Sequence, residues 1–167
     1  MGESGPARIR RIDADEWELW RELRLAALTE APYAFRSKLA EWQGDGDVEA
    51  RWRARLTEVP FNAVMEWCGR DAGIVSGTAP DAEGAVELIS MWVAPFSRGH
   101  GLADALVESV IEWATERGAK RVILGVAAGN DRAARLYRRH GFRATKVVVS
   151  GSEGGYRETR MVRELKG

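Results

Sequence analysis

The sequence predicts a mixed α/β domain: a mainly antiparallel sheet with one parallel strand pair, and helices packed on both faces. Three observations carry that expectation. Strand-like runs at 61–68, 74–78 and 85–93 are separated only by the turn residues Gly69-Arg70-Asp71 and Pro80-Asp81, and connections so short join antiparallel neighbours. An amphipathic stretch at 102–117 then precedes the next apolar run at 121–126, and a crossover of that length returns a strand parallel to 85–93. Helical apolar stripes appear both before the strands and between them.

Taken in order, 9–12 alternates Ile with Arg and forms a short first strand. Asp13 or Asp15 can cap a helix over 16–28, with Leu19, Leu23, Ala26 and Ala27 as its stripe and Pro32 as its stop. Residues 33–48 mix the aromatics Tyr33, Phe35 and Trp42 with an acidic, glycine-containing stretch at 41–47, and a second short helix is predicted over 48–56. On the main helix Ala103, Val107, Val110, Ile111 and Ala114 line one face. Asp104, Glu108 and Glu112 mark the other, which reads as solvated because no His joins them. Gly118 ends that helix; Asn130 caps the next, which ends at Gly141. Runs at 147–149 and 157–162 then close as a hairpin across the Gly-rich 151–155.

Composition bounds the function. The 167 residues suit one domain, 1–167, with an acceptor-side helical part at 1–60. Twenty-five basic residues balance twenty-five acidic ones, so no global field draws the chain to nucleic acid or membrane. Cys68 is the single cysteine, which excludes an internal disulfide and fits a reducing compartment; near a strand end, it reads as an inert thiol. The polar start has no signal-peptide pattern and no run reaches membrane-spanning length, so a cytoplasmic location is expected. One Cys and two distant His give no metal-ligand spacing, and no metal is expected.

The most informative segment is 92–103. There a strand runs through Pro95 into Arg98-Gly99-His100-Gly101 and directly onto the main helix. Glycines let the backbone approach a ligand, and the helix start presents unpaired N–H groups and a positive dipole end, an arrangement that cradles phosphate. A P-loop would need Gly-Lys-Ser/Thr, but Leu102-Ala103 follows Gly101. A dinucleotide fingerprint needs a third small residue where Asp104 stands, and a mostly parallel sheet. Arg98-x-x-Gly101-x-Ala103, with Val93-x-Pro95 before it, resembles the coenzyme signature of the Gcn5-related N-acetyltransferase (GNAT) superfamily. Asn130-x-x-Ala133-x-x-x-Tyr137 and Gly141-Phe142 resemble its second acetyl-CoA motif, so the likeness covers 86–142.

That resemblance implies the acyl-CoA N-acyltransferase fold with a splayed parallel pair, and acetyl-CoA as cosubstrate. It implies that amides of the loop comprising Arg98, Gly99, His100, Gly101, Leu102, Ala103 and Asp104 bind the pyrophosphate. Trp92 and Val93 would pair with the pantetheine arm, Asn130 would hold it from the other side, and Ala133 would leave it room. Arg98 is expected to touch phosphate, less through its guanidinium than through its backbone. Tyr137, one turn past Ala133 on the same face, is the expected general acid: thiols titrate near ~8.5 and phenols near ~10, so protonating the departing thiolate is near thermoneutral. An alkylamine is only about one part in 2,500 neutral at pH 7, a cost of roughly 4.6 kcal/mol, so a proton acceptor is needed. Glu87 is the candidate, six residues before Val93. Strand alternation would set it on one face with Ile89, Met91 and Val93, an apolar setting that suits a base; an edge Glu in solvent is the alternative. A backbone N–H near Val93 would meet the oxyanion. His100 is a poor base there, His140 reads as a helix-end charge, and Arg135, Arg138 and Arg139 read as solvated.

For the acceptor, Phe35, Trp42 and Trp52 beside Glu41, Asp45, Asp47 and Glu49 could form a pocket for a cationic amine, with Tyr156 and the 151–155 glycines as a lid. A small amine, an antibiotic, an amino acid or a polypeptide amine all fit the sequence. So do a non-catalytic acyl-CoA-binding module, a nucleotide-binding oxidoreductase and transfer of a longer acyl group. A homodimer through exposed strands is also open.

Overall fold

The structure is a computed structural model that describes residues 7–35, 38–150 and 156–166. Among these the chain runs β1 (Arg8–Arg11), α1 (Trp17–Glu30), α2 (Glu49–Glu58), β2 (Phe61–Trp67), β3 (Arg70–Gly77), β4 (Ala85–Val93), α3 (Leu102–Glu116), β5 (Arg121–Ala127), α4 (Asp131–Arg139), β6 (Arg143–Ser150) and β7 (Tyr156–Glu164). The described strands form one sheet in the order β1-β2-β3-β4-β5-β7-β6. All neighbours are antiparallel except β4 and β5. The expected fold class is present. The glycines at 151–155, expected to form the last loop, lie outside the described residues.

Turn chemistry sets the hairpins. β2 and β3 are joined by Cys68-Gly69, both at positive φ (53° and 74°), the conformation whose twist matches that of the paired strands. The turn is therefore one residue earlier than Gly69-Arg70-Asp71, and Arg70 already belongs to β3. Asn130 caps α4 as expected, its side-chain oxygen accepting from the Ala133 N–H at 3.3 Å.

Two apolar layers sandwich the sheet. On one side α3 and α4 bury Leu106, Val107, Val110, Ile111 and Leu136 against Ala63, Met65, Val75, Val86, Val122 and Leu124. On the other, α1 and α2 bury Trp20, Leu23, Ala27, Trp52 and Leu56 against Val64, Ile74 and Trp92. The buried stripe of α1 differs from the one expected. Ala26 is exposed, and Trp20, Leu23, Arg24, Ala27 and Leu28 face inward, so a charged residue sits on the core face.

β4 carries an irregularity that alternation could not anticipate. Ser90 has φ 56°, and the pairing to β3 slips between Ile74 and Ser76, so that Ile74 faces Trp92 while Ser76 faces Ile89. Two residues of β4 then oppose one of β3, a β-bulge that reverses the faces beyond it. Val86, Leu88, Met91 and Val93 consequently share the α3 side, and Trp92 goes to the α1 side. Glu87 is therefore on the opposite face from Met91 and Val93. Arg55 fastens the bulge from α2: its guanidinium donates to the Ser90 and Ser76 hydroxyls, both at 3.1 Å, and to Asn62 Oδ1 at 3.0 Å.

Candidate active site

The phosphate-type loop is built by backbone. A 3-10 turn at Pro95–Ser97 leads into Gly99 and Gly101 at φ 86° and 75°, left-handed conformations that favour glycine. A Cβ at either would meet nothing within 4 Å, so the space over the loop is open rather than packed. Gly101 is the residue before α3, and no side chain caps that helix. Its first-turn N–H groups are thus available to an anion.

Side chains brace this loop. Arg98 Nε donates to the Val93 carbonyl at 3.1 Å and Nη2 donates to Glu30 Oε2 at 2.8 Å, while Trp92 Nε1 reaches the same oxygen at 2.8 Å. The Arg98 bond, against a smaller opposing effect of burial and with help from Trp92, holds the Glu30 carboxyl below its ordinary range. The guanidinium is thereby spent on tying loop, strand and α1 together. His100 turns outward and stacks on Trp67, with ring centroids 4.4 Å apart.

The parallel ladder stops early. β4 and β5 pair only from Ala85–Arg121 to Glu87–Ile123, then diverge. In that splay lies a cavity of about 360 Å³. Trp92, Val93, Arg98, Gly99, Gly101, Leu102, Ala103, Asp104, Asn130, Ala133 and Tyr137 all line it; His100 does not. Arg132 and Arg139 add cations to its rim. The splayed edge offers main-chain groups that amides of a ligand can pair with.

Tyr137 sits deep in this wall. It is 7% exposed, packs edge-on against Phe142, and its hydroxyl approaches Met91 Sδ at 3.7 Å. Burial pushes its phenol well above the ordinary value, with a minor contribution from Tyr156, so the hydroxyl keeps its proton.

A second cavity, of about 310 Å³, opens on the α1 side of the splay, and both cavities share Ala34, Phe35 and Gly125 in their walls. Glu87 lines it, together with Glu158 of β7, and Arg160 joins the two carboxylates at 3.3 and 3.1 Å. Glu87 thus has charged neighbours in place of the expected Met91 and Val93. Glu158 is 3% exposed, over Gly125, where a Cβ would collide with its carboxylate.

The expected aromatics Phe35, Trp42 and Trp52 line this cavity, but none of the expected acids does. Asp47 is held by Arg21 Nε at 2.6 Å and by Trp52 Nε1 at 2.8 Å, which lowers its pKa to about 2. Glu49 pairs with Arg53 at 2.8 Å. Arg24 and Arg55 are in the wall instead. Sequence reading missed Arg24, Arg55 and Glu158. Arg24 carries a signal in hindsight, since it lies four residues from both Trp20 and Leu28 on α1.

One face of α3 also differs from expectation. His140 does join its carboxylates, with ring nitrogens 2.6 Å from Glu108 Oε1 and 2.7 Å from Asp104 Oδ1, and Arg139 reaches Asp104 at 3.0 Å. Burial opposes ionisation of Asp104, but the His140 and Arg139 bonds outweigh it and its pKa falls. Arg139 thereby sets a cation against that carboxylate at the phosphate-type loop. Among the described residues no group of three or more His, Cys, Asp or Glu is arranged to hold a metal ion, and no helix is long and apolar enough to cross a membrane.

A loop of free amides at a helix start, beside a splayed strand pair and a buried phenol, suits an anionic ligand that carries amides of its own. The acetyltransferase (GNAT) family matches residues 14–142, and the chain belongs to that family, whose enzyme class is that of the N-acetyltransferases. An uncharacterized N-acetyltransferase of Methanocaldococcus jannaschii is 29% identical over 147 residues, 84% of this chain and 62% of the relative. One from Mycobacterium tuberculosis is 37% identical over 123 residues, 70% of this chain and 75% of that protein. The chain therefore spans less than two thirds of the first relative's length. Among solved structures, yncA of Salmonella typhimurium, which contains its cofactor acetyl-CoA, superposes with a TM-score of 0.76 over 98% of this chain and 96% of its own. At 22% identity that likeness speaks to the fold.

Proposed function

We propose that this chain transfers an acetyl group from acetyl-CoA to a primary amine by direct attack within a ternary complex. The observation that carries the reading is the pair of cavities meeting at Ala34, Phe35 and Gly125, one with anion-binding backbone, the other with two carboxylates. In this reading the loop at 98–104 holds the pyrophosphate, and the free edges of β4 and β5 hold the pantetheine arm. Arg132 supplies charge at the rim. Asn130 both caps α4 and faces the arm.

The acceptor enters the second cavity as an ammonium ion and gives one proton to Glu87. Its nitrogen lone pair forms a bond to the thioester carbon, and a backbone N–H near Val93 receives the oxyanion. Collapse breaks the carbon–sulfur bond, and the nitrogen gives its second proton to solvent, leaving the neutral amide. The sulfur leaves toward Tyr137, whose retained proton it takes; the phenolate recovers a proton from solvent as the coenzyme departs. Burial lifts the phenol above the value on which near-thermoneutral transfer was expected, so the transfer runs uphill, and Tyr137 acts first as a hydrogen-bond donor that stabilises the departing thiolate where little water competes. The lone exposed thiol, Cys68, suits a reducing compartment, and we place the enzyme in the cytoplasm.

The test is free-thiol release from acetyl-CoA across a panel of amines, alongside calorimetry of coenzyme binding. Turnover is expected, with Glu87→Gln slowing it by about 100-fold, the usual scale for a positioned base. Glu158→Gln is expected to slow it less. A larger loss in Glu158→Gln would transfer the base role to that residue. Coenzyme binding without turnover of any amine would leave only a binding module.

A further inference from the structure

The second cavity contains a positive charge that nothing among the described residues answers. α1 brings Trp20 and Arg24 to one face, four residues apart, and both line the cavity at 0% and 7% exposure. The Arg24 guanidinium lies over the Phe35 ring, 4.6 Å from its centroid. Its Nη1 has no hydrogen-bond partner, and neither has Trp20 Nε1. Proteins seldom leave such donors buried and unpaired, and an unanswered guanidinium is the costlier of the two.

Its neighbours do not relieve it. Arg55 lines the same wall and gives Nη1 to Asn62 and Nη2 to Ser76 and Ser90. Burial, and then the charge of Arg55, lower the Arg24 pKa to about 10, so it remains a cation at neutral pH. The same cavity carries Glu87 and Glu158 as a negative pole. Cationic and anionic groups therefore face one small space.

Resting on the acetyltransferase reading above, we propose that the acceptor is a free amino acid, a primary amine bearing a carboxylate. The carboxylate pairs with the Arg24 guanidinium, and the amino group lies toward Glu87 and Glu158. A carboxylate neutralises the buried cation, and its planar shape matches the guanidinium fork. A simple cationic amine would leave the Arg24 charge unanswered and bring more positive charge beside Arg24 and Arg55. A polypeptide N-terminus lacks the carboxylate on the carbon that bears its amine. The cavity volume of about 310 Å³ suits a molecule of amino-acid size.

The test uses the intact protein, acetyl-CoA and the twenty common amino acids, each beside its carboxamide and its decarboxylated amine, with thiol release as readout. At least one amino acid is expected to exceed its carboxamide and amine in kcat/KM by about 10³-fold or more, because a site built for a polar group rejects analogues lacking it. Arg24→Gln should reduce that acid-to-carboxamide ratio by about 100-fold through the acid's KM, with coenzyme affinity measured by calorimetry held. Arg24→Lys, which keeps the charge without the fork, should reduce it less and serves if the Gln variant fails to fold. Arg24→Met should raise the thermal midpoint, since a buried unpaired charge disappears; a merely structural arginine would lower it. Turnover of amines or carboxamides as fast as acids, equal loss for both in Arg24→Gln, or no amino acid turned over would overturn the proposal. If acetyl-CoA itself does not bind, the acetyltransferase reading falls first; if it binds and other amines react, only this inference falls.

Discussion

The two cavities are built in opposite ways. The cavity proposed for the coenzyme is built on main chain: two left-handed glycines, the uncapped start of α3 and the splayed edge of β4, all within one continuous stretch. The cavity proposed for the acceptor is lined by side chains from α1, α2, β4 and β7, namely Trp20, Arg24, Arg55, Glu87 and Glu158, which the fold alone assembles. A coenzyme of fixed shape can be met by backbone geometry that tolerates sequence change. An acceptor must be told apart from similar amines, and that requires individually placed donors and charges.

The sharpest way to break this contrast is Tyr137→Phe, which should reduce kcat by roughly 10²–10⁴-fold, the range for a lost general acid, while acetyl-CoA affinity holds. A fall in affinity with kcat retained would make Tyr137 part of the coenzyme wall only. Next in size, Gly101→Val forces a β-branched side chain into a left-handed position and into the open space over the loop. Acetyl-CoA should then bind about 100-fold more weakly, on the scale of losing charge-assisted backbone hydrogen bonds. Unchanged affinity in calorimetry would move the phosphate elsewhere.

Smaller still is Arg98→Gln. Its guanidinium braces Val93 and Glu30, so acetyl-CoA affinity should weaken by about tenfold or less, with little change in salt dependence. Glu30→Gln should give a similar loss, and the double variant should be non-additive. A loss far beyond tenfold with altered salt dependence would instead assign Arg98 to the phosphate.

The smallest effect concerns acid. Asp47, held low by Arg21 and then Trp52, binds its proton less tightly in the folded protein than in the unfolded chain. Its stabilising contribution is therefore complete above about pH 4 and is lost as pH falls toward about 2. Asp47→Asn should flatten the acid limb of a tryptophan-fluorescence titration in that interval, since Trp52 and Trp42 stack beside it at 4.4 Å. Parallel acid limbs in the two proteins would remove Asp47 from the acceptor wall's support.

The coenzyme side was the more legible because its signals are local. Glycine spacing at 99 and 101, the stripe of α3 and the Asn130 cap each depend on residues a few positions apart, and the structure holds all three. The expectation for Glu87 failed in part because one residue, Ser90, at positive φ shifts the pairing register and reverses the faces beyond it. No alternation count can detect an extra residue that is held by a guanidinium arriving from α2. The acidic stretch at 41–47 misled for a similar reason: Arg21, far away in sequence, claims Asp47. His140 was expected to be a helix-end charge, but the packing of α4 on α3 carries it to Asp104 and Glu108.

By itself the sequence determined the order of strands and helices, the crossover, and the anion-seeking turn ahead of α3, because periodicity and glycine conformations act over a few residues. Only the tertiary structure decided which charges confront one another across the acceptor cavity. Arg24 and Glu158 are adjacent to that space through sheet pairing and helix packing, and burial there gives each charge a weight it could not have along an extended chain.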